Sequence, residues 1–88
     1  TLDPDTLSLV WQKNPIPLTK NEYRILETLM REGGIVSRDT LMERLWETDS
    51  FVDENTLNVN VARLRKKLEG AGLSEYIVTK KGVGYGLA

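Results

Sequence analysis

The sequence predicts an α+β fold: a small N-terminal antiparallel sheet, three helices and a C-terminal β-hairpin. Three observations carry this expectation. Residues 1–18 mix β-prone residues with turn formers. Residues 19–69 hold three apolar stripes at helical spacing, each preceded by a capping residue. Residues 76–87 place two short extended runs around a lysine- and glycine-rich turn.

In the first segment, Leu7-Ser8-Leu9-Val10-Trp11 is β-prone and Lys13-Asn14-Pro15 signals a turn. Ile16-Pro17-Leu18 reads as a short return strand, with Pro17 best placed on a sheet edge because it has no N–H to donate. Thr1-Leu2-Asp3-Pro4 fits the end of a further strand. The first helix has a capping box in Thr19 and Glu22, with Leu18 and Tyr23 at the staple positions. Ile25, Leu26, Leu29 and Met30 form its apolar face, and Gly33-Gly34 ends it. Ile35-Val36 is an extended link. Ser37 caps a second helix whose Leu41, Met42, Leu45 and Trp46 are expected to face inward. A loop follows from Thr48 to Val52. Asp53 caps the third helix, which runs to about Glu69 with Leu57, Val61, Leu64 and Leu68 as its core stripe. Gly70 and Gly72 stop it. Tyr76-Ile77-Val78-Thr79, the turn from Lys80 to Gly84, and Tyr85-Gly86-Leu87 read as a hairpin.

Composition narrows the function classes. A chain of 88 residues suits one domain, expected to span residues 1–88, with a single small core. At 40% hydrophobic and 28% charged it reads as a soluble globular domain, with no apolar stretch long enough for a membrane span. Without cysteine or histidine it has no disulfide, thiolate zinc site, or Ser-His or Cys-His nucleophile pair. Asp49, Asp53 and Glu54 lack the spacing and turn glycine of a calcium loop and read as a solvated, helix-capping cluster. The expectation is a cytoplasmic protein that is not an enzyme and needs no cofactor.

The net charge of −1 argues against nucleic acid, but the distribution of charge argues for it. Residues 1–50 carry 6 Lys/Arg and 9 Asp/Glu, whereas residues 51–88 carry 6 and 4. A local field matters more to DNA than the total. At ~100° per residue, the side of the third helix opposite its core stripe shows Asn55, Val59, Ala62, Arg63 and Lys66. Thr56, Asn60 and Lys67 flank one side, and Asn58 and Arg65 the other. Amides pair with adenine edges, arginine with guanine, and small apolar groups with thymine methyls, while Thr, Lys and Arg take phosphates. A solvated face would mix in acids, and none stands between Glu54 and Glu69. This favours groove binding. The turn Lys80-Lys81-Gly82-Val83-Gly84-Tyr85 fits either a minor-groove or phosphate contact or a generic charged turn.

Sheet, three helices and basic hairpin together make a winged helix-turn-helix, and the sequence resembles the OmpR/PhoB-type effector domains of response regulators. The resemblance runs from Leu2 to Leu87. It rests on Leu18-Thr19-x-x-Glu22-Tyr23-x-Ile25-Leu26, Val36-Ser37-Arg38-x-x-Leu41 and Leu45-Trp46. It continues through Thr56-Leu57-x-Val59-x-Val61-x-Arg63-Leu64-Arg65-Lys66-Lys67-Leu68 and Val78-Thr79-x-x-Gly82-x-Gly84-Tyr85. It implies a four-stranded N-terminal sheet, with its first strand outside this chain, and a recognition helix at 53–69. It implies DNA contacts from Asn55, Thr56, Val59, Asn60, Arg63 and Arg65, with Thr79, Lys81, Gly82 and Tyr85 from the wing. Lys66, Lys67 and Lys80 are the further bases beside these positions. Arg38 and Trp46 match positions that support or touch the DNA backbone, although Trp46 and Tyr85 equally suit packing. The resemblance further implies a receiver domain and sensor kinase upstream. Two copies are implied head-to-tail on direct repeats, with a contact to RNA polymerase through the loop 47–52. Asn55 and Ala62 stand where many members are basic, and Gly86 where Arg is common. Details around Leu57–Asn60 and Lys80–Tyr85 resemble Gram-positive regulators of antimicrobial-peptide and bacitracin resistance. A winged-helix protein-interaction module without DNA binding is the alternative.

Overall fold

A computed structural model of the chain describes residues 1–47 and 52–88. Strands β1 (Leu2–Asp3), β2 (Ser8–Trp11) and β3 (Asn14–Pro17) form an antiparallel sheet in the order β1-β2-β3. Helices α1 (Lys20–Glu32), α2 (Arg38–Trp46) and α3 (Glu54–Gly70) follow, with the short strand β4 (Val36–Ser37) before α2. Strands β5 (Ile77–Lys80) and β6 (Gly84–Leu87) close the chain and make a second sheet in the order β4-β6-β5.

The β2–β3 hairpin turns one residue earlier than the Lys13-Asn14-Pro15 signal suggests. Trp11 pairs with Asn14, so Gln12 and Lys13 form a two-residue loop, and both have positive φ, 50° and 66°. That is the backbone of the turn matching the twist of adjacent strands. Asn14 and Pro15 are therefore strand residues. Pro15 and Pro17 both sit on β3, an edge strand, where a missing N–H costs nothing in the ladder. The N-terminal sheet shows three strands among the described residues, against the four that the resemblance implies.

The caps fall where expected. Thr19 Oγ1 accepts from the Glu22 N–H at 3.1 Å, and the Glu22 carboxylate accepts from the Thr19 N–H at 2.8 Å. Ser37 Oγ accepts from the Thr40 N–H at 3.2 Å and Asp53 Oδ1 from the Thr56 N–H at 2.7 Å. Each satisfies one of the backbone donors that a helix start leaves open. The Thr56 N–H also holds the Asp53 carboxyl below the usual carboxylate range.

The core forms where the three helices meet. Ile25, Leu26 and Leu29 of α1, Leu41 and Leu45 of α2, and Leu57, Val61, Leu64 and Leu68 of α3 are fully buried. Leu9, Ile16 and Leu18 close it from the first sheet, and Val36, Ile77 and Tyr85 from the second. Two inward expectations fail. Met30 is 40% exposed and Trp46 is 53% exposed, because each follows a fully buried leucine (Leu29, Leu45) by one residue and so lies about 100° further round its helix, at the margin of the buried stripe.

The link Ile35-Val36 is more than a link. Val36 and Ser37 pair with Tyr85 and Gly84, which makes β6 the middle strand and fastens the hairpin to the helical core. Only glycine fits at Gly84, since a Cβ there would overlap the Val36 carbonyl.

Candidate nucleic-acid interface

The reading face is built by α3. Its core stripe turns Leu57, Val61, Leu64 and Leu68 inward, so Asn55, Val59, Ala62, Arg63 and Lys66 stand in solvent on the other side. Val59 is 42% exposed, an apolar group standing on the solvent side of the helix. Among the described residues, the side chains of Asn55, Arg63 and Lys66 make no hydrogen bond or ion pair. They are free donors beside an apolar spot, on a stretch of helix with no carboxylate between Glu54 and Glu69.

The flanks of α3 do other work, and three expected contacts are redirected. Asn60 is buried, and its Nδ2 donates to the Thr56 carbonyl at 2.9 Å, one turn back on its own helix. It faces inward because it follows Leu57 by three residues and shares that side of the helix. Lys67 reaches α1 and the end of β3, where its Nζ donates to Glu22 Oε1 at 2.6 Å and to the Pro17 carbonyl at 3.2 Å. Glu22 is 1% exposed, so this lysine neutralises a buried carboxylate. Arg65 turns to the hairpin, where Nη2 donates to Thr79 Oγ1 at 2.8 Å and to the Ile77 carbonyl at 3.4 Å. Thr56 is half-buried beside Asp53 at the helix start.

The hairpin stands next to α3. Its tip, Lys81-Gly82-Val83, is closed by the Val83 N–H donating to the Lys80 carbonyl at 2.9 Å. Gly82 has φ +77°, a conformation that suits glycine. Lys80 and Lys81 are exposed, and among the described residues their side chains are unpaired. Thr79 is exposed but already accepts from Arg65. Tyr85 is 6% exposed, and its hydroxyl pairs with Asn58 Oδ1 at 2.7 Å. Of the two roles that fit Tyr85, packing is the one its surroundings support.

Arg38 opens α2 at the meeting point of all these parts. Its N–H donates to the Val83 carbonyl at 3.3 Å, and its Nη1 reaches Glu54 Oε1 at 3.3 Å. Trp46 lies exposed at the end of α2, and its indole Nε1 donates to the Val52 carbonyl at 3.1 Å. Of the loop 47–52, residues 48–51 lie outside the described residues, and so does Asp49. Among the described residues no three acidic side chains come together as a metal site.

Sequence reasoning did not find the Glu22–Lys67 pair, the Asn58–Tyr85 bond or the β4–β6 pairing. A signal existed for the first: Lys67 and Asn60 lie seven residues apart on one flank, and a buried flank needs a partner for its charge.

A trihelical core whose third helix lies free beside a basic β-hairpin defines the winged helix-turn-helix class. Comparison with known proteins then gives the family. Residues 13–87 match the family described as "Transcriptional regulatory protein, C terminal", and the chain belongs to it. This family is the OmpR/PhoB-type DNA-binding domain of transcription regulators. The chain is similar to the transcriptional regulatory protein YvcP of Bacillus subtilis, at 48% identity over 86 residues, which covers 97% of this chain and 36% of that protein. It is similar to the sensory transduction protein BceR of Halalkalibacterium halodurans, at 46% identity, which covers 97% of this chain and 37% of that protein. The chain thus spans about a third of the length of these relatives. Among solved structures, the C-terminal domain of the nisin resistance regulator NsrR matches 99% of this chain and 89% of its own, with a TM-score of 0.85 and 45% identity. The AdeR DNA-binding domain, solved in complex with an intercistronic region, matches 99% and 90%, with a TM-score of 0.85 and 33% identity. No helix among the described residues is long and apolar enough to cross a membrane.

Proposed function

We propose that this domain reads duplex DNA as the output module of a response regulator, with α3 in the major groove and the wing at 79–85 on the minor groove or backbone. The observation that carries this is the free face of α3. Asn55, Val59 and Arg63 are exposed side by side, an amide, an apolar group and a guanidinium, which together match the chemistry of base edges. Lys66, Lys80 and Lys81 are the unpaired bases around it and serve phosphates. Thr56 and Gly82 contribute at the two ends of the same surface. Arg38 supports the backbone contact from the junction of α2, α3 and wing. Asn60, Arg65, Lys67, Thr79 and Tyr85 serve the interface from behind, through the bonds described above. Trp46, exposed at the end of α2, supports or touches the DNA backbone rather than filling the core.

The likeness to relatives roughly three times as long supports a receiver domain upstream and control by a sensor kinase, in a cytoplasmic protein whose own task is binding and not catalysis. The likeness to the nisin resistance regulator supports a role in antimicrobial-peptide resistance. Two copies bind head-to-tail on direct repeats. Supporting this, the acidic balance of residues 1–50 complements the basic balance of residues 51–88 in a neighbour. Contact with RNA polymerase falls to the loop 47–52.

A gel-shift titration at two salt concentrations tests the DNA reading. The expected result is selection of a recurring duplex from a random pool, with affinity that falls as salt rises. Equal affinity for all duplexes would reject sequence reading. Footprinting with the half-site spacing changed by about 5 bp tests the tandem, since half a turn moves one site to the opposite face. Occupancy indifferent to the insertion would leave a monomeric reader.

A further inference from the structure

Two side-chain bonds join α3 to the hairpin, and their arrangement is not that of isolated contacts. Asn58 and Arg65 are seven residues apart, two helical turns, so they lie on one flank of α3 and roughly 10 Å apart along it. Their partners are Tyr85 and Thr79, which are cross-strand neighbours in the β5–β6 ladder. Each end of the brace is therefore fixed in its own rigid element. One bond between a helix and a hairpin leaves rotation about that bond. Two bonds at separated points remove it. Neither bond lies on the reading face.

We infer that Asn58–Tyr85 and Arg65–Thr79 form a brace that sets the angle between the recognition helix and the wing, making these four positioning residues for sequence reading. Lys80 and Lys81 directly follow Thr79, so the brace also fixes where the wing's ammonium groups stand relative to Arg63. The bond suits a buried tyrosine, whose hydroxyl needs a partner. At the other end of the brace, Arg65 Nη2 donates to both the Thr79 hydroxyl and the Ile77 carbonyl, so it holds the strand at two points. The inference rests on the DNA reading proposed above.

The test is a double-mutant cycle with Asn58→Ala and Tyr85→Phe in the 88-residue chain, read on a selected duplex, on a random duplex and by amide hydrogen exchange of the free protein. Tyr85→Phe keeps the ring in the core, and Asn58 is exposed, so both variants fold. Urea unfolding of each variant checks this, with a cooperative transition expected. Each single variant is expected to lose roughly 3- to 10-fold in affinity for the selected duplex, the worth of one hydrogen bond. The double variant should lose no more than about 2-fold beyond the worse single one, because the two groups act as one bond. Random-duplex affinity should stay within about 2-fold, and amides of β5 and β6 should exchange faster in both single variants. Losses that multiply in the double variant, or an equal loss on random duplex, would make Tyr85 a direct phosphate contact and overturn the brace. Unchanged exchange would overturn it too. Should the unaltered chain select no duplex, the DNA reading fails by itself, and the exchange arm still judges the brace.

Discussion

Replacing Lys67 by methionine separates a structural lysine from a phosphate-binding one. Lys67 is a base on the DNA-reading helix, yet its Nζ lies 2.6 Å from Glu22 Oε1 on α1. Lys67→Met leaves a carboxylate that is 1% exposed without its counter-charge. Removing one partner of a fully buried pair costs about 3–5 kcal/mol. Two features reduce that here. The Lys67 side chain is 39% exposed, so water reaches one end of the pair, and the Thr19 N–H still donates to Glu22 at 2.8 Å. The expected loss is about 1–3 kcal/mol. With a urea m-value near ~1 kcal/mol/M for so small a domain, the midpoint falls by about 1–3 M. Adding Glu22→Gln to Lys67→Met should restore part of the loss, because glutamine still fills the capping box and no charge stays buried. On DNA, the salt slope of Lys67→Met should stay near that of the unaltered chain. A stability loss under about 0.5 kcal/mol, together with a salt slope lowered by about 1, would refute the reasoning and return Lys67 to the phosphates.

Other expectations test the core, the cap and the interface. Leu64→Ala should cost about 2–5 kcal/mol in urea unfolding, since Leu64 is fully buried at the centre of α3, and a loss under about 1 kcal/mol would mean the site collapses freely. Because the folded state lowers the Asp53 pKa, the cap's contribution is complete above the unfolded value of about 3.9 and fades as pH falls through the lower folded one. Asp53→Asn, which keeps an acceptor, should flatten the acid limb of a stability–pH profile, and an unchanged limb would contradict this. Arg63→Ala should weaken a selected duplex by about 1–3 kcal/mol and relax its sequence preference, whereas Lys81→Ala should weaken all duplexes alike and lower the salt slope by about 1. Identical behaviour of the two variants would undo the division of roles.

Most of the fold was legible because local signals agreed with one another. Thr19, Ser37 and Asp53 all cap as their spacing indicates, and the stripe Leu57, Val61, Leu64, Leu68 is buried as drawn. Short-range chemistry sufficed for these. What stayed hidden depends on partners distant in sequence. Lys67 meets Glu22 across 45 residues and Asn58 meets Tyr85 across 27, and a helical wheel shows only that each lies on a flank. The wheel identified the outward face of α3 correctly and overcounted its width, since Asn60, Arg65 and Lys67 at the margins bond to the protein itself. Val36 reads as a link in the sequence because a two-residue strand has no period to detect. Trp46 and Met30 follow the apolar stripe of their helices but lie at its margin, 53% and 40% exposed.

Entry of α3 into the major groove through Asn55, Val59 and Arg63 has a direct signature at the guanines of the half-site. Methylation interference at guanine N7 tests it directly, because that atom lies in the major groove and pairs with arginine there. A selected duplex carrying N7-methylguanine should lose binding at one or more guanines of the half-site, and Arg63→Ala should abolish the sensitivity at one of them. Full binding to duplexes methylated at every half-site guanine, with Arg63→Ala still indistinguishable from the unaltered chain, would contradict the account.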